Sequence, residues 1–119
     1  MIEIKQKPPV DAEVFSKVAN LASLVTIGDG AVVSRTVIKK PTGTVTVFGF
    51  DAGEGLSEHT APFDAMVYVL DGEVDITISG ASYNLKTGDT IVMPAGEPHG
   101  MKAITKYKML LIMIKNAEN

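Results

Sequence analysis

Short strands punctuated by turns leave few folds open to this chain. From Ala31 to Ile114, Gly, Pro and Asp signals break the sequence at close intervals, and between them apolar residues recur at every second position. Successive side chains of a strand point to opposite faces, whereas a helix returns to one face every three or four residues. Val74, Ile76 and Ile78 alternate with Asp75, Thr77 and Ser79, which sets one face on a core and the other in water. Asp71-Gly72, between Met66–Leu70 and Glu73–Ser79, is a hairpin signal. Lys39-Lys40-Pro41-Thr42-Gly43 separates a Val- and Thr-rich stretch, Ala31–Ile38, from a second one, Thr44–Phe50. Ala81–Leu85, Thr90–Met93, His99–Thr105 and Tyr107–Ile114 complete the set. The expectation is an all-β sandwich or barrel domain over residues 31–119.

Residues 1–30 are expected to form an N-terminal extension. Pro8-Pro9 breaks regular structure, and Asp11 is placed to cap a short helix reaching about Ala22. Val14, Phe15, Val18, Leu21 and Ala22 recur there at helical spacing, and Gly28-Asp29-Gly30 ends the region.

Two strands break the alternation. Ala65–Leu70 and Met109–Ile114 are apolar at nearly every position, so both of their faces are expected to be covered. The N-terminal helix is too short to cover both strands, which points to a homodimer through this face.

Composition removes several function classes. Eleven Lys and Arg against 14 Asp and Glu give a formal charge of -3, so nucleic acid is not an expected partner. No apolar run approaches the ~20 residues of a membrane span, and Met1-Ile2-Glu3-Ile4-Lys5 is not a signal sequence. The expectation is a cytoplasmic protein with no membrane partner. The absence of cysteine excludes disulfides, thiolate ligands and thiol catalysis. The chain also lacks a phosphate-cradling Gly-Lys-Ser/Thr loop, a dinucleotide fingerprint and a nucleophile elbow.

Both histidines of the chain sit in segments rich in glycine and proline. The first runs from Gly53 through His59 and Ala65 to Gly72, and the second is Gly88-Asp89-Thr90-Ile91-Val92-Met93-Pro94-Ala95-Gly96-Glu97-Pro98-His99. Together they resemble the two motifs of the cupin family. Gly53, His59 and Gly72 stand in place for the first motif, and Gly88, Pro94, Gly96 and His99 for the second. Where the family has a second His and a Glu, this chain has Ala61 and Ala65, and Ala103 stands where Asn is common. The resemblance implies a jelly-roll β-barrel whose cavity usually holds one divalent transition metal, such as Zn, Fe, Mn or Ni. It does not select an activity, because the fold hosts dioxygenases, isomerases, decarboxylases, storage proteins and sugar-binding regulators.

Strand alternation turns His59 and Ala61 to one face, and His99, Met101 and Ala103 to one face. If the barrel closes as in the family, these residues and Ala65 line one cavity. Two imidazoles can grip a metal ion, yet zinc and non-haem iron sites use three protein ligands. Asp64, Glu58 and Glu97 are the candidates for a third. Alternation turns Asp64 to the wrong face unless a β-bulge near Pro62 turns it back. Without a metal, His59 and His99 are expected to bond to each other or to water.

The two alanines imply a roomier, more apolar cavity suited to a small molecule, with Met101 and also Tyr107, Met109 or Met113 as wall or core. An imidazole can serve as a general base. A tyrosine acid beside it would have to be Tyr68, Tyr83 or Tyr107. Tyr68 is expected to face away, and Tyr107 faces in only if parity survives the turn at Thr105-Lys106. Arg35, the single arginine, either anchors a substrate carboxylate or lies at the surface. Asp51, Glu54, Glu58 and Asp64 either draw cations to the barrel mouth or simply solvate turns. Three readings stay open: a ligand-binding barrel, a metal-dependent oxygenase or isomerase, and a non-catalytic sensor or interaction protein.

Overall fold

A computed structural model describes residues 3–9 and 14–115. Ten strands follow one another: β1 (Ile4–Gln6), β2 (Val32–Lys40), β3 (Gly43–Phe50), β4 (Gly55–His59), β5 (Phe63–Asp71), β6 (Glu73–Ile78), β7 (Ala81–Lys86), β8 (Thr90–Met93), β9 (His99–Ala103) and β10 (Tyr107–Lys115). Asp71-Gly72 joins β5 to β6 as expected. Gly72 has a φ of 93°, and the Lys106 carbonyl lies where a Cβ would stand. Only glycine fits both conditions without strain.

The strands form two sheets. One has six strands in the order β1-β2-β3-β10-β5-β8, and the other has four in the order β4-β9-β6-β7. All pairings are antiparallel except β1 on β2. The core lies between the sheets. Val67, Val69, Val74, Ile76, Met109 and Phe50 are fully buried in it. In β5, exposed Asp64, Met66 and Tyr68 alternate with buried Ala65, Val67 and Val69, the period of two that the sequence carries.

The N-terminal segment departs from the expected helix. Asp11 lies outside the described residues. Residues 15–20 are not helical: the Lys17 amide donates to the Val14 carbonyl at 3.1 Å, and Ser16 takes a φ of 59°. A separate 3-10 turn follows at Leu21–Leu24, with the Asn20 side chain accepting from the Ser23 amide at 3.2 Å. The apolar stripe that suggested one helix is not buried as a stripe: Phe15 and Val18 are exposed. Leu24 and Val25 instead pack on the outer face of the six-stranded sheet against Val33, Val37 and Val47. Two side chains of that sheet hold the segment down. Arg35 donates to the Leu24 and Pro8 carbonyls, each at 3.1 Å, and the Lys108 ammonium donates to the Ala22 carbonyl at 2.5 Å.

Candidate functional site

β4 ends at His59 and β9 begins at His99, and the ladder sets these two residues directly opposite each other. A register shift between Leu56 and His59 makes that pairing. The ring centroids are 4.5 Å apart, with an interplanar angle of 69°. Each ring is fixed by the carbonyl two residues upstream. His59 Nδ1 lies 2.8 Å from the Ser57 oxygen and His99 Nδ1 3.2 Å from the Glu97 oxygen. A carbonyl only accepts, so each neutral ring carries its proton on Nδ1 and presents the Nε2 lone pair.

The two rings differ in surroundings. His59 is exposed, whereas His99 is 4% exposed. Burial pushes the His99 pKa below its ordinary value, the neighbouring His59 pushes it the same way, and the bond to the Glu97 carbonyl partly offsets both. His99 is therefore a neutral imidazole at pH 7.

The three candidate carboxylates have other employment. Asp64 is exposed on β5, and its Oδ1 accepts from the Ala95 amide at 2.9 Å. Glu97 accepts from the Ser79 hydroxyl at 2.9 Å. Glu58 lines a groove of the four-stranded sheet with Asp75, Thr77, Ser82 and Lys102. Asp51 caps the Gly30 and Ala52 amides at 2.7 and 2.8 Å, which lowers its pKa. Among the described residues no three His, Asp or Glu side chains come together to hold a metal. Two imidazoles alone do not make the three-ligand set that zinc or non-haem iron takes from a protein, so the side chains present do not fit a protein-completed metal centre.

The alanine positions are also resolved. Ala61 lies half-buried on the β4–β5 link, where its carbonyl accepts from the Gly96 amide at 2.9 Å and joins the two glycine-rich segments. Ala65 is buried between Met93 of β8 and Met113 of β10, its partners in register. Met101 and Ala103, two and four residues beyond His99, are buried in the same cluster. Methionine side chains thus stand beside the position where the family carries a carboxylate.

Parity does carry Tyr107 inward. It is fully buried against Phe50, with ring centroids 5.1 Å apart, and its hydroxyl donates to Met109 Sδ at 2.8 Å. Burial raises its pKa well above the usual phenol range, so it stays protonated. Tyr68 and Tyr83 are exposed, and Tyr68 alternates with the buried Val67 and Val69, facing away from the core as expected. Arg35 spends its guanidinium on backbone carbonyls of the N-terminal segment, on the sheet face opposite the core. The Ser57 and Glu97 carbonyls and Met93 are parts of this arrangement that sequence reasoning does not find. Backbone acceptors leave no side-chain signature, and Met93 reads as ordinary core.

Two facing, mainly antiparallel sheets, with a histidine at each of two adjoining strand ends, define a jelly-roll barrel with an imidazole pair. The chain belongs to the cupin family: the model of the cupin domain matches residues 46–115. Among solved structures it is similar to a conserved protein of unknown function from Streptococcus pyogenes, with 40% identity over 85% of this chain and 89% of that one and a TM-score of 0.81. It is likewise similar to a cupin 2 conserved barrel domain protein from Leptotrichia buccalis, with 40% identity over 82% of this chain and 47% of that one and a TM-score of 0.79. A cupin superfamily protein from Desulfitobacterium hafniense is 27% identical over 84% of this chain and 92% of its own, with a TM-score of 0.80. No curated protein matches the chain. Among the described residues no helix is long and apolar enough to cross a membrane.

Proposed function

We propose that this cupin is a cytoplasmic, homodimeric protein that binds a small organic molecule at the imidazole pair, without a resident metal. The observation that carries this reading is the shared Nδ1 anchoring of His59 and His99. It leaves two Nε2 acceptors on adjacent rings, a match for a ligand with hydroxyl or other weakly acidic donors. On this reading Ala61, Ala65, Met101 and Ala103 line the ligand site with the pair, and neutral His99 accepts a hydrogen bond from the ligand.

A second reading rests on the same bonds. Metal-ligating histidines commonly donate their other ring nitrogen to a carbonyl, so a divalent ion held by His59 and His99 would be completed by water or by the ligand itself. Thermal unfolding separates the two. Chelator-treated protein is scanned with a panel of hydroxy acids, polyols and phenols, and separately with Zn, Fe, Mn and Ni salts. Stabilisation by an organic compound without metal, lost in His99→Ala, is the expected result. Stabilisation by metal ions alone would replace this reading with the metal-dependent one.

A further inference from the structure

The inner face of the six-stranded sheet changes character along its rows. On β10, β5 and β8 it is apolar, with Met109, Leu111, Val67 and Met93 buried in the core. On β2 and β3 the same rows turn to hydroxyls. Ser34 stands beside Phe48, and Thr36 beside Thr46, which pairs in turn with Leu111. Ser34 is 6% exposed, and a buried hydroxyl costs free energy unless something bonds to it. Ser34 and Thr36 line a cavity of about 320 Å³ that Gln6, Lys7, Pro9 and Lys39 complete. That is the size at which small-molecule pockets begin, several times the ~30 Å³ share of one water.

Backbone bonds fix the wall of this cavity. β1 runs parallel on β2 and sets Gln6 opposite Ser34. The Lys7 amide donates to the Ser34 carbonyl at 2.9 Å, and Arg35 donates to the Pro8 carbonyl at 3.1 Å. Lys7 and Pro9 are thereby held against β2. The lining carries two lysines and no acid, in a chain with 14 Asp and Glu against 11 Lys and Arg. The groove on the four-stranded sheet has the opposite balance, with Glu58 and Asp75 against Lys102. A cleft of one sign draws ligands of the other. Lysines that only solvate a rim have no need of a buried hydroxyl beneath them.

We propose that this cavity binds a small organic anion, its carboxylate or phosphate group held by the Lys7 and Lys39 ammonium groups and by the Ser34 and Thr36 hydroxyls. Every lining side chain except Pro9 can donate a hydrogen bond, and the two cations accept none. Such a set suits an oxyanion, and the remaining volume takes the organic part. None of these residues belongs to the imidazole pair or its surroundings, so the proposal stands apart from the reading of that pair.

Isothermal titration calorimetry on the full chain tests this, with succinate, benzoate, glycerol phosphate and inorganic phosphate as probes and benzamide as the neutral control. At least one organic anion is expected to bind, more weakly as salt is raised, and benzamide is not. Lys7→Ala and Lys39→Ala, both at exposed positions, should each weaken that binding at least about tenfold through loss of a charge-assisted hydrogen bond. Far-ultraviolet circular dichroism should be unchanged in both. Failure of every probe to bind, or equal affinity in the wild type and both lysine variants, overturns the proposal. Binding of inorganic phosphate alone reduces the cavity to an ion site and overturns the organic ligand. Binding lost in His99→Ala but kept in both lysine variants places the anion at the imidazole pair, which overturns this site and leaves the reading of the pair intact.

Discussion

His99 is held neutral by its surroundings, and that has a consequence for stability. Its pKa is lowered by burial and by His59 from an ordinary value of 6.5. Between the lowered value and 6.5 the unfolded chain binds more protons than the folded one, so stability rises with pH across that window. The contribution is complete above pH 6.5 and is lost as the pH falls below it. Chemical denaturation between pH 5 and 8 should show that slope in the wild type and a flatter one in His99→Asn. An equal slope in both would place the titration elsewhere. Ala65 yields a second prediction. Its neighbours in register, Met93 and Met113, leave it buried, so Ala65→Phe should cost about 1–3 kcal/mol through overpacking, measured by urea unfolding. The two histidines and the two alanines were legible in the sequence because side-chain identity and spacing record them. The carbonyls that set both tautomers were not, because the backbone acceptor is the same at every residue.

Strands with a clean period were legible as elements, and the two that were missed share a physical reason. β1 carries one apolar residue, Ile4, and β4 carries Leu56 among Gly, Ser, Glu and His. Each pairs with a neighbour, β2 or β9, and packs a single apolar side chain on the core, and one apolar residue per strand leaves no period to read. The N-terminal helix was over-read for the converse reason. Helical spacing was present, but Ser16 takes a φ of 59° and Phe15 and Val18 are exposed, so the spaced apolar residues do not form one buried helical face. Arg35 holds the segment through the Leu24 and Pro8 carbonyls, so Arg35→Ala should cost about 1–2 kcal/mol and speed proteolysis between residues 14 and 30. Unchanged cleavage there would show that apolar contact alone holds the segment. At the β5–β6 turn, Gly72→Ala should destabilise the chain by roughly 1–3 kcal/mol. Its φ of 93° and the Lys106 carbonyl both oppose a side chain. An unfolding free energy equal to that of the wild type would contradict the strain argument.

At the scale of the whole molecule, the two sheets divide the work. The four-stranded sheet supplies both histidines, on adjacent strand ends, and carries a groove where Glu58, Asp75, Thr77, Ser82 and Lys102 stand with Leu56 and Met101. The six-stranded sheet supplies most of the core and carries an apolar outer face, part of which Leu24 and Val25 cover. The strands that are apolar on both sides announced that second layer in the sequence. How far the cover reaches was not legible, because it depends on where Leu24 and Val25 come to rest. The central claim is that the imidazole pair serves an organic ligand and not a resident metal. The donor set supports it: Asp64 and Glu97 bond to Ala95 and Ser79, and Glu58 lines the groove of the four-stranded sheet. Elemental mass spectrometry on untagged protein, purified from metal-supplemented cells, tests the claim directly. The account predicts transition-metal content far below one ion per chain, unchanged in a His59→Ala, His99→Ala double variant. Stoichiometric metal in the wild type that disappears in the double variant would contradict it.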